Sequence, residues 1–113
     1  MTTDVSETQE FVKLFIELAR KSINTSERNI NYLKTKDYSK KEVDDLERAF
    51  HTLKGQAGVL NFQKIAKVCD RAEEVLRKAR ETDTKLSEQQ LDDIDNILSG
   101  LRNSIASIEK TGK

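Results

Sequence analysis

The feature that most constrains this fold is an apolar repeat of three and four residues that runs through nearly the whole chain. Such spacing places apolar side chains on one stripe of an α-helix that faces a core. The clearest example lies in the middle of the sequence and comprises Val43, Leu46, Phe50, Leu53, Ala57 and Leu60. The chain also has no proline and only 4 glycines among its 113 residues, so few positions interrupt a helix. The sequence therefore predicts an all-α protein.

Three further segments carry the same repeat and predict three more helices. The first, over about residues 8–34, begins with Phe11, Leu14, Phe15 and Leu18 and continues with Ile16, Ala19, Ile23, Ile30 and Leu33. Its middle, Asn24-Thr25-Ser26, is weak in helix propensity and leaves a bend or a break open. The third stripe comprises Phe62, Ile65, Cys69, Ala72, Leu76 and Ala79, and the fourth Leu91, Ile94, Leu98, Leu101, Ile105 and Ile108. Four helices joined by short loops predict an antiparallel up-down four-helix bundle.

Capping patterns mark the expected ends of these helices. Ser39-Lys40-Lys41-Glu42 and Ser87-Glu88-Gln89-Gln90 match the capping box, in which a hydroxyl and a carboxyl or amide side chain satisfy backbone amides at a helix start. Residues 35–39 are interpreted as a polar connection. The second helix is expected to end near Asn61, because asparagine tolerates the left-handed conformation of a carboxyl cap and can also cap the next helix.

Size and charge limit the functions that this chain can have. Its 113 residues fit one domain over residues 1–113, with residues 1–7 and 109–113 expected to be frayed ends or linker. Twenty basic and 20 acidic residues give a formal net charge of zero, so nothing indicates nucleic acid or an anionic membrane as a partner. No apolar run approaches the ~20 residues of a transmembrane helix, and the polar amino terminus is not typical of a signal peptide. We therefore expect a cytoplasmic protein.

The one histidine, His51, lies beside the apolar stripe of the second helix and not within it. Lys54 and Gly55 follow one turn further along the same flank, and Gly58 follows two turns along, because positions three, four and seven apart share a helical face. Each glycine inside a helix costs roughly 1 kcal/mol relative to alanine, which indicates that space is needed here. Taken alone, such a histidine would be an ordinary surface or core residue. With a cation and two glycines around it, we interpret it as an imidazole displayed for docking.

The stretch from His51 to Gly58, His-Thr-Leu-Lys-Gly-Gln-Ala-Gly, resembles the phosphoacceptor signature of histidine-containing phosphotransfer (HPt) domains. It is similar in particular to the amino-terminal phosphotransfer domain of chemotaxis histidine kinases. The resemblance continues through Phe62, Glu73, Leu76, Ala79 and Arg80 to Leu86. It implies a domain of two-component signalling in which His51 accepts a phosphoryl group from the ATP-dependent catalytic domain of a histidine kinase. The group would then pass to an aspartate of a response-regulator receiver domain.

The resemblance also implies roles for individual residues. Glu73, 22 residues after His51, would accept a hydrogen bond from Nδ1 and leave Nε2 as the nucleophile. Lys54 would offset the added charge of the phosphoryl group, and Gly55 and Gly58 would leave room for docking. The sequence has no Gly-rich phosphate loop after a strand and no Asp cluster for Mg²⁺. We therefore expect no cofactor and no metal in this domain, no catalysis by the domain alone, and ATP and Mg²⁺ supplied by partner domains.

Two positions depart from the pattern of the family that the chain resembles. Asp70 stands where the family has a second histidine, 19 residues after the first, and Asn61 stands where it commonly has a glycine. We interpret Asp70 as an accessory site residue. Its carboxylate would repel an incoming phosphate unless Lys54 or Arg77 neutralised it.

Two other hypotheses stay open at this point. The first is a helical interaction module of the same fold whose histidine is never phosphorylated. On that hypothesis the charged residues of the run 70–77 are a solvated helix face. The second is a metal site built from His51, Cys69, Asp70 and Glu73, which carry suitable donor atoms. It is disfavoured because Cys69 lies on the apolar stripe of the third helix and is expected in the core, where a free thiol behaves as a small hydrophobe.

Overall fold

Within the residues that the structure describes, the protein forms four helices that each pack against two neighbours. A computed structural model describes residues 5–36 and 39–112 and contains α1 (Val5–Thr35), α2 (Lys40–Val59), α3 (Gln63–Glu81) and α4 (Glu88–Thr111). Helix α1 packs against α2 and α4, and α3 packs against the same two helices. Among the described residues neither diagonal pair, α1 with α3 or α2 with α4, is in contact. This arrangement confirms the antiparallel up-down four-helix bundle.

The core is formed by the apolar stripes that the sequence predicts for α2, α3 and α4. All six stripe residues of α4 are buried, as are the first five of α2, while Leu60 is partly buried. In α3 the residues from Ile65 to Ala79 on the stripe are buried, and Phe62, which precedes the helix, is partly buried. Leu86 in the connection before α4 closes one end of the core. Burial of these side chains is the main source of stability in a domain of this kind.

The expected stripe of α1 is partly wrong. Phe11, Leu14 and Leu18 have between 41% and 55% of their surface exposed. The buried stripe instead begins at Phe15 and passes through Ser26, which is 1% exposed, to Leu33. A helix with only two neighbours can bury only one of two overlapping apolar stripes. Phe11, Leu14 and Leu18 therefore lie on the outer flank of α1. The helix runs without interruption through the weak segment 24–26.

Both terminal helices extend beyond the expected limits. Residues 5–7 and 109–111, which were expected to be frayed or linker, are helical. One reason at the carboxyl end is a two-point ion pair, in which Arg20 of α1 donates hydrogen bonds of 2.6 and 2.7 Å to Glu109. Residues 1–4 and 113, and residues 37–38 of the polar connection, lie outside the described residues.

One of the two expected capping boxes is formed. At the start of α4, Ser87 Oγ accepts a hydrogen bond from the Gln90 amide at 3.0 Å, and the Gln90 side chain accepts one from the Ser87 amide at 2.8 Å. At the start of α2 the capping box is not formed, because the Ser39 hydroxyl donates to the Glu42 carboxylate and makes no hydrogen bond to a backbone amide. The reciprocal pair of backbone bonds therefore stabilises only α4.

The corner between α2 and α3 depends on Asn61, which has a positive φ of 65°. The Asn61 amide donates to Gly58 O at 3.1 Å and the Phe62 amide donates to Ala57 O at 2.8 Å, the hydrogen-bond pattern of a Schellman motif. The Phe62 ring then stacks on Phe15 with ring centroids 5.6 Å apart. The left-handed conformation predicted for Asn61 is confirmed, but its side chain accepts from Gln63 and does not cap the α3 backbone. The corner sets how α2 and α3 lie against each other.

Candidate functional site

The imidazole of His51 lies at the edge of α2 that faces α3. The side chain is 68% exposed, although its neighbours on the stripe, Phe50 and Leu53, are buried. His51 Nδ1 is 2.9 Å from Glu73 Oε1 on α3, which is the contact expected from the sequence. An ionised carboxylate can only accept a hydrogen bond, so Nδ1 carries a proton, and in the neutral form of the ring the lone pair is on Nε2. The ring is thus held by one nitrogen and left accessible at the other.

Glu73 is a buried charge, not part of a solvated helix face. Its side chain is only 9% exposed, since the position follows Ala72 on the buried stripe of α3. Burial raises the pKa of Glu73, but hydrogen bonds from Lys54 and His51 lower it by more, so that the pKa ends below its ordinary value. The carboxylate is therefore ionised at neutral pH and presents a fixed negative charge to the imidazole. The exposed neighbour Glu74 pairs with Lys78 and takes no part in the site.

Lys54 of α2 forms ion pairs with two of the carboxylates on α3. Its Nζ is 2.9 Å from Glu73 Oε2 and 3.1 Å from Asp70 Oδ1. The pKa of Lys54 is raised, first by the hydrogen bond to Glu73 and then by the one to Asp70. Arg77, the other candidate to neutralise Asp70, instead lies 4.0 Å from Glu81. The structure therefore brings His51, Lys54, Asp70 and Glu73 together in one network across the α2–α3 interface.

Gly55 and Gly58 leave the flank of α2 beyond His51 bare. Both are exposed, and a Cβ atom built on either would meet no atom within 4 Å. Packing inside the domain therefore does not require glycine at these positions. Both glycines also lower helix stability, so neither packing nor helix propensity accounts for them.

On the other side of His51 lies a groove that the sequence reasoning missed. It has a volume of about 530 Å³ and is lined by Lys40, Asp44, Glu47, Arg48, His51, Glu73 and Arg80. An ion pair of 2.9 Å between Arg80 Nη1 and Glu47 Oε2 connects α3 with α2 along it. The positions of two groove residues along their helices could have indicated this groove. Glu47 precedes His51 by four residues and Arg80 follows Glu73 by seven, so both share the flanks that carry the site.

The metal-site hypothesis gains no support from Cys69. This cysteine is free and buried, and burial raises the pKa of its thiol to about 12, so it does not supply the thiolate that binds a metal. Among the residues described by the structure, no group of three His, Cys, Asp or Glu side chains is placed to hold a metal ion. Nor does any helix in the described ranges have the length and apolar character needed to cross a membrane.

Comparison with known proteins gives the family. The model of the Hpt domain family matches residues 10–104 of the chain. This chain belongs to the Hpt domain family. The chemotaxis protein CheA of Listeria monocytogenes serovar 1/2a and that of Listeria innocua serovar 6a are each 26% identical to it over 106 residues. These alignments cover 94% of this chain but only 17% of the length of either relative.

A solved structure agrees with this assignment. The CheA phosphotransferase domain from Thermotoga maritima superposes with a TM-score of 0.82 and 26% sequence identity, and the match covers 88% of this chain and 94% of that one. The chain is therefore a CheA-like Hpt domain, and its class of function is histidine phosphotransfer in two-component signalling. The roles of His51, Glu73, Lys54, Asp70, Gly55 and Gly58 are not tested by these likenesses and stay predictions.

Proposed function

We propose that His51 of this Hpt domain accepts a phosphoryl group on Nε2 and passes it to an aspartate of a response-regulator receiver domain. One observation carries the proposal: an exposed imidazole is held through Nδ1, at 2.9 Å, by a buried carboxylate on the neighbouring helix. An orienting carboxylate fixes the tautomer and makes the free nitrogen more basic. A surface histidine without a function would not need a buried charge to orient it.

The two steps of the proposed transfer conserve charge and bonds. The lone pair of His51 Nε2 attacks the γ-phosphorus of ATP, an N–P bond forms, and the electron pair of the broken P–O bond leaves on ADP. The ring keeps its Nδ1 proton and becomes positively charged, and the Glu73 carboxylate at 2.9 Å stabilises that charge. In the second step a carboxylate oxygen of the receiver attacks phosphorus. The N–P bond then breaks and its electron pair returns to Nε2.

The proposed partners supply the rest of the chemistry. ATP and Mg²⁺ would be bound by the catalytic domain of a histidine kinase, because this chain offers an acceptor and no phosphate-binding loop in its sequence. The domain would thus be a phosphocarrier in the cytoplasm, with no catalysis of its own. The docking surface would be the bare flank of α2 at Gly55 and Gly58, together with the facing edge of α3.

The proposal is tested by incubating the protein with a histidine kinase catalytic domain and labelled ATP. The label should be acid-labile and alkali-stable, and the His51→Gln variant should lack it. Because the His51 side chain is mostly exposed, that variant should melt within about 2 °C of the parent. Transfer is then followed by adding a receiver domain to the labelled protein. A parent protein that takes no label from several kinase domains would favour the alternative, a helical scaffold of the same fold.

A further inference from the structure

Lys54 is shared between two carboxylates that differ in their surroundings. Its ammonium lies 2.9 Å from Glu73 Oε2 and 3.1 Å from Asp70 Oδ1. The Glu73 side chain is 9% exposed, whereas that of Asp70 is 62% exposed. Asp70 and Glu73 are three residues apart on α3, so they lie on one face of the helix and meet the same ammonium.

The two ion pairs are not equally easy to break. Water competes for both partners of an exposed pair, so the contact between Lys54 and Asp70 is weak. A buried carboxylate that loses its cation is left poorly solvated, which makes the contact between Lys54 and Glu73 costly to lose. If a third anion were to attract Lys54, the ammonium would therefore leave Asp70 and keep Glu73.

A phosphoryl group on His51 would be such an anion. It would add a charge of about −1.5 to −2 one turn away from Lys54 on the same flank of α2. Resting on the proposed function, the geometry points to Asp70 as a positioning residue that holds Lys54 away from His51 and competes with the phosphoryl group for its ammonium. Asp70 thereby weakens the hold of the domain on the phosphoryl group and makes phosphorylated His51 a readier donor.

The test measures how one phosphoryl group distributes at equilibrium between this domain and a receiver domain. Four proteins are compared: the parent, Asp70→Asn, Lys54→Met and the double variant. Asp70→Asn should shift the distribution towards His51 by roughly two- to fivefold, the size of an exposed ion pair. In the Lys54→Met background the same substitution should cause a clearly smaller shift, because no ammonium is left to compete for and only direct repulsion by an exposed carboxylate remains. Asp93→Asn is the matched control, since Asp93 lies on α4, which does not contact α2 within the described residues.

Two outcomes of this cycle would overturn the inference. A shift in the Lys54→Met background as large as that in the parent background, or larger, would mean that Asp70 repels the phosphoryl group directly and does not act through Lys54. No shift in either background would mean that Asp70 has no part in the equilibrium. Failure of the proposed function is separate, because then neither the parent nor any variant would exchange a phosphoryl group with the receiver.

A second measurement follows Lys54 itself and needs no partner protein. His51 is phosphorylated with phosphoramidate, a small phosphoryl donor, and the ¹⁵N signal of the Lys54 ammonium is recorded before and after. In the parent the chemical shift of this signal should change on phosphorylation. Unphosphorylated Asp70→Asn should already show part of that change in chemical shift, because its Lys54 ammonium is already released from position 70. A Lys54 signal that is unchanged by phosphorylation would contradict the exchange of partners.

Discussion

Replacement of Gly55 by alanine should change stability and phosphotransfer in opposite directions. Alanine is favoured over glycine in a helix interior by about 1 kcal/mol, and the added Cβ meets no atom within 4 Å. The free energy of unfolding should therefore rise by about 1 kcal/mol, which corresponds to about 4 °C in melting temperature for a domain of this size. The same methyl group would hold a docked partner away by about 1.5 Å, the length of a carbon–carbon bond. Since a misplacement of about 1 Å can cost a hundredfold in rate, transfer should slow at least roughly tenfold.

Gly100→Ala provides a matched control for this experiment. Gly100 is also helical and exposed, and a Cβ there also meets nothing within 4 Å, but it lies on α4, away from the site. It should raise the melting temperature as much as Gly55→Ala does and leave transfer unchanged. Thermal unfolding by circular dichroism and single-turnover phosphorylation by a kinase domain would measure the two effects. If Gly55→Ala were as fast as the parent, the docking role of the bare flank would be refuted.

Three further predictions concern single side chains. Glu73→Gln should slow phosphorylation by roughly ten- to a hundredfold in the same assay, because hydrogen bonds to charged groups contribute about 1.5–3 kcal/mol. Its control, Glu74→Gln on the exposed face, should be phosphorylated as fast as the parent. Phe15→Ala should lower the free energy of unfolding in urea by about 3–5 kcal/mol, whereas Leu18→Ala should cost less than about 1 kcal/mol; equal losses would contradict the burial pattern of α1. Ser87→Ala should cost about 1 kcal/mol through loss of the capping box, and an unchanged urea midpoint would contradict that contribution.

Most of the fold could be predicted because three of the four helices carry one unambiguous apolar stripe. In α1 two stripes overlap, and periodicity alone does not say which one faces the core. The structure buries the stripe that contains Ser26 and exposes Phe11, Leu14 and Leu18. Helix propensity was likewise a poor guide at residues 24–26, because tertiary packing on α2 and α4 outweighs a weak local preference.

The contact between His51 and Glu73 could be predicted from the sequence, but the burial of Glu73 could not. The resemblance to HPt domains implied a hydrogen bond between His51 and Glu73, and the contact is present. That Glu73 is buried, and that Lys54 bridges it to Asp70, depends on how closely the helices approach each other. Sequence periodicity carries no measure of that distance. The Ser39 capping box failed for a similar reason, because the Glu42 side chain binds the hydroxyl and not the backbone amide.

The single accessible nitrogen of His51 has a consequence for the order of events in signalling. Under the proposed function, the reacting atoms of kinase and receiver must each come within about 3–3.5 Å of Nε2, so the two proteins cannot be seated there together. In every cycle the kinase must therefore dissociate before the receiver binds, and this order favours short-lived complexes over tight ones. Tethering the domain to the kinase or to the receiver would raise the frequency of encounters with that partner. The tethered partner would still have to dissociate from Nε2 before the other partner could bind there.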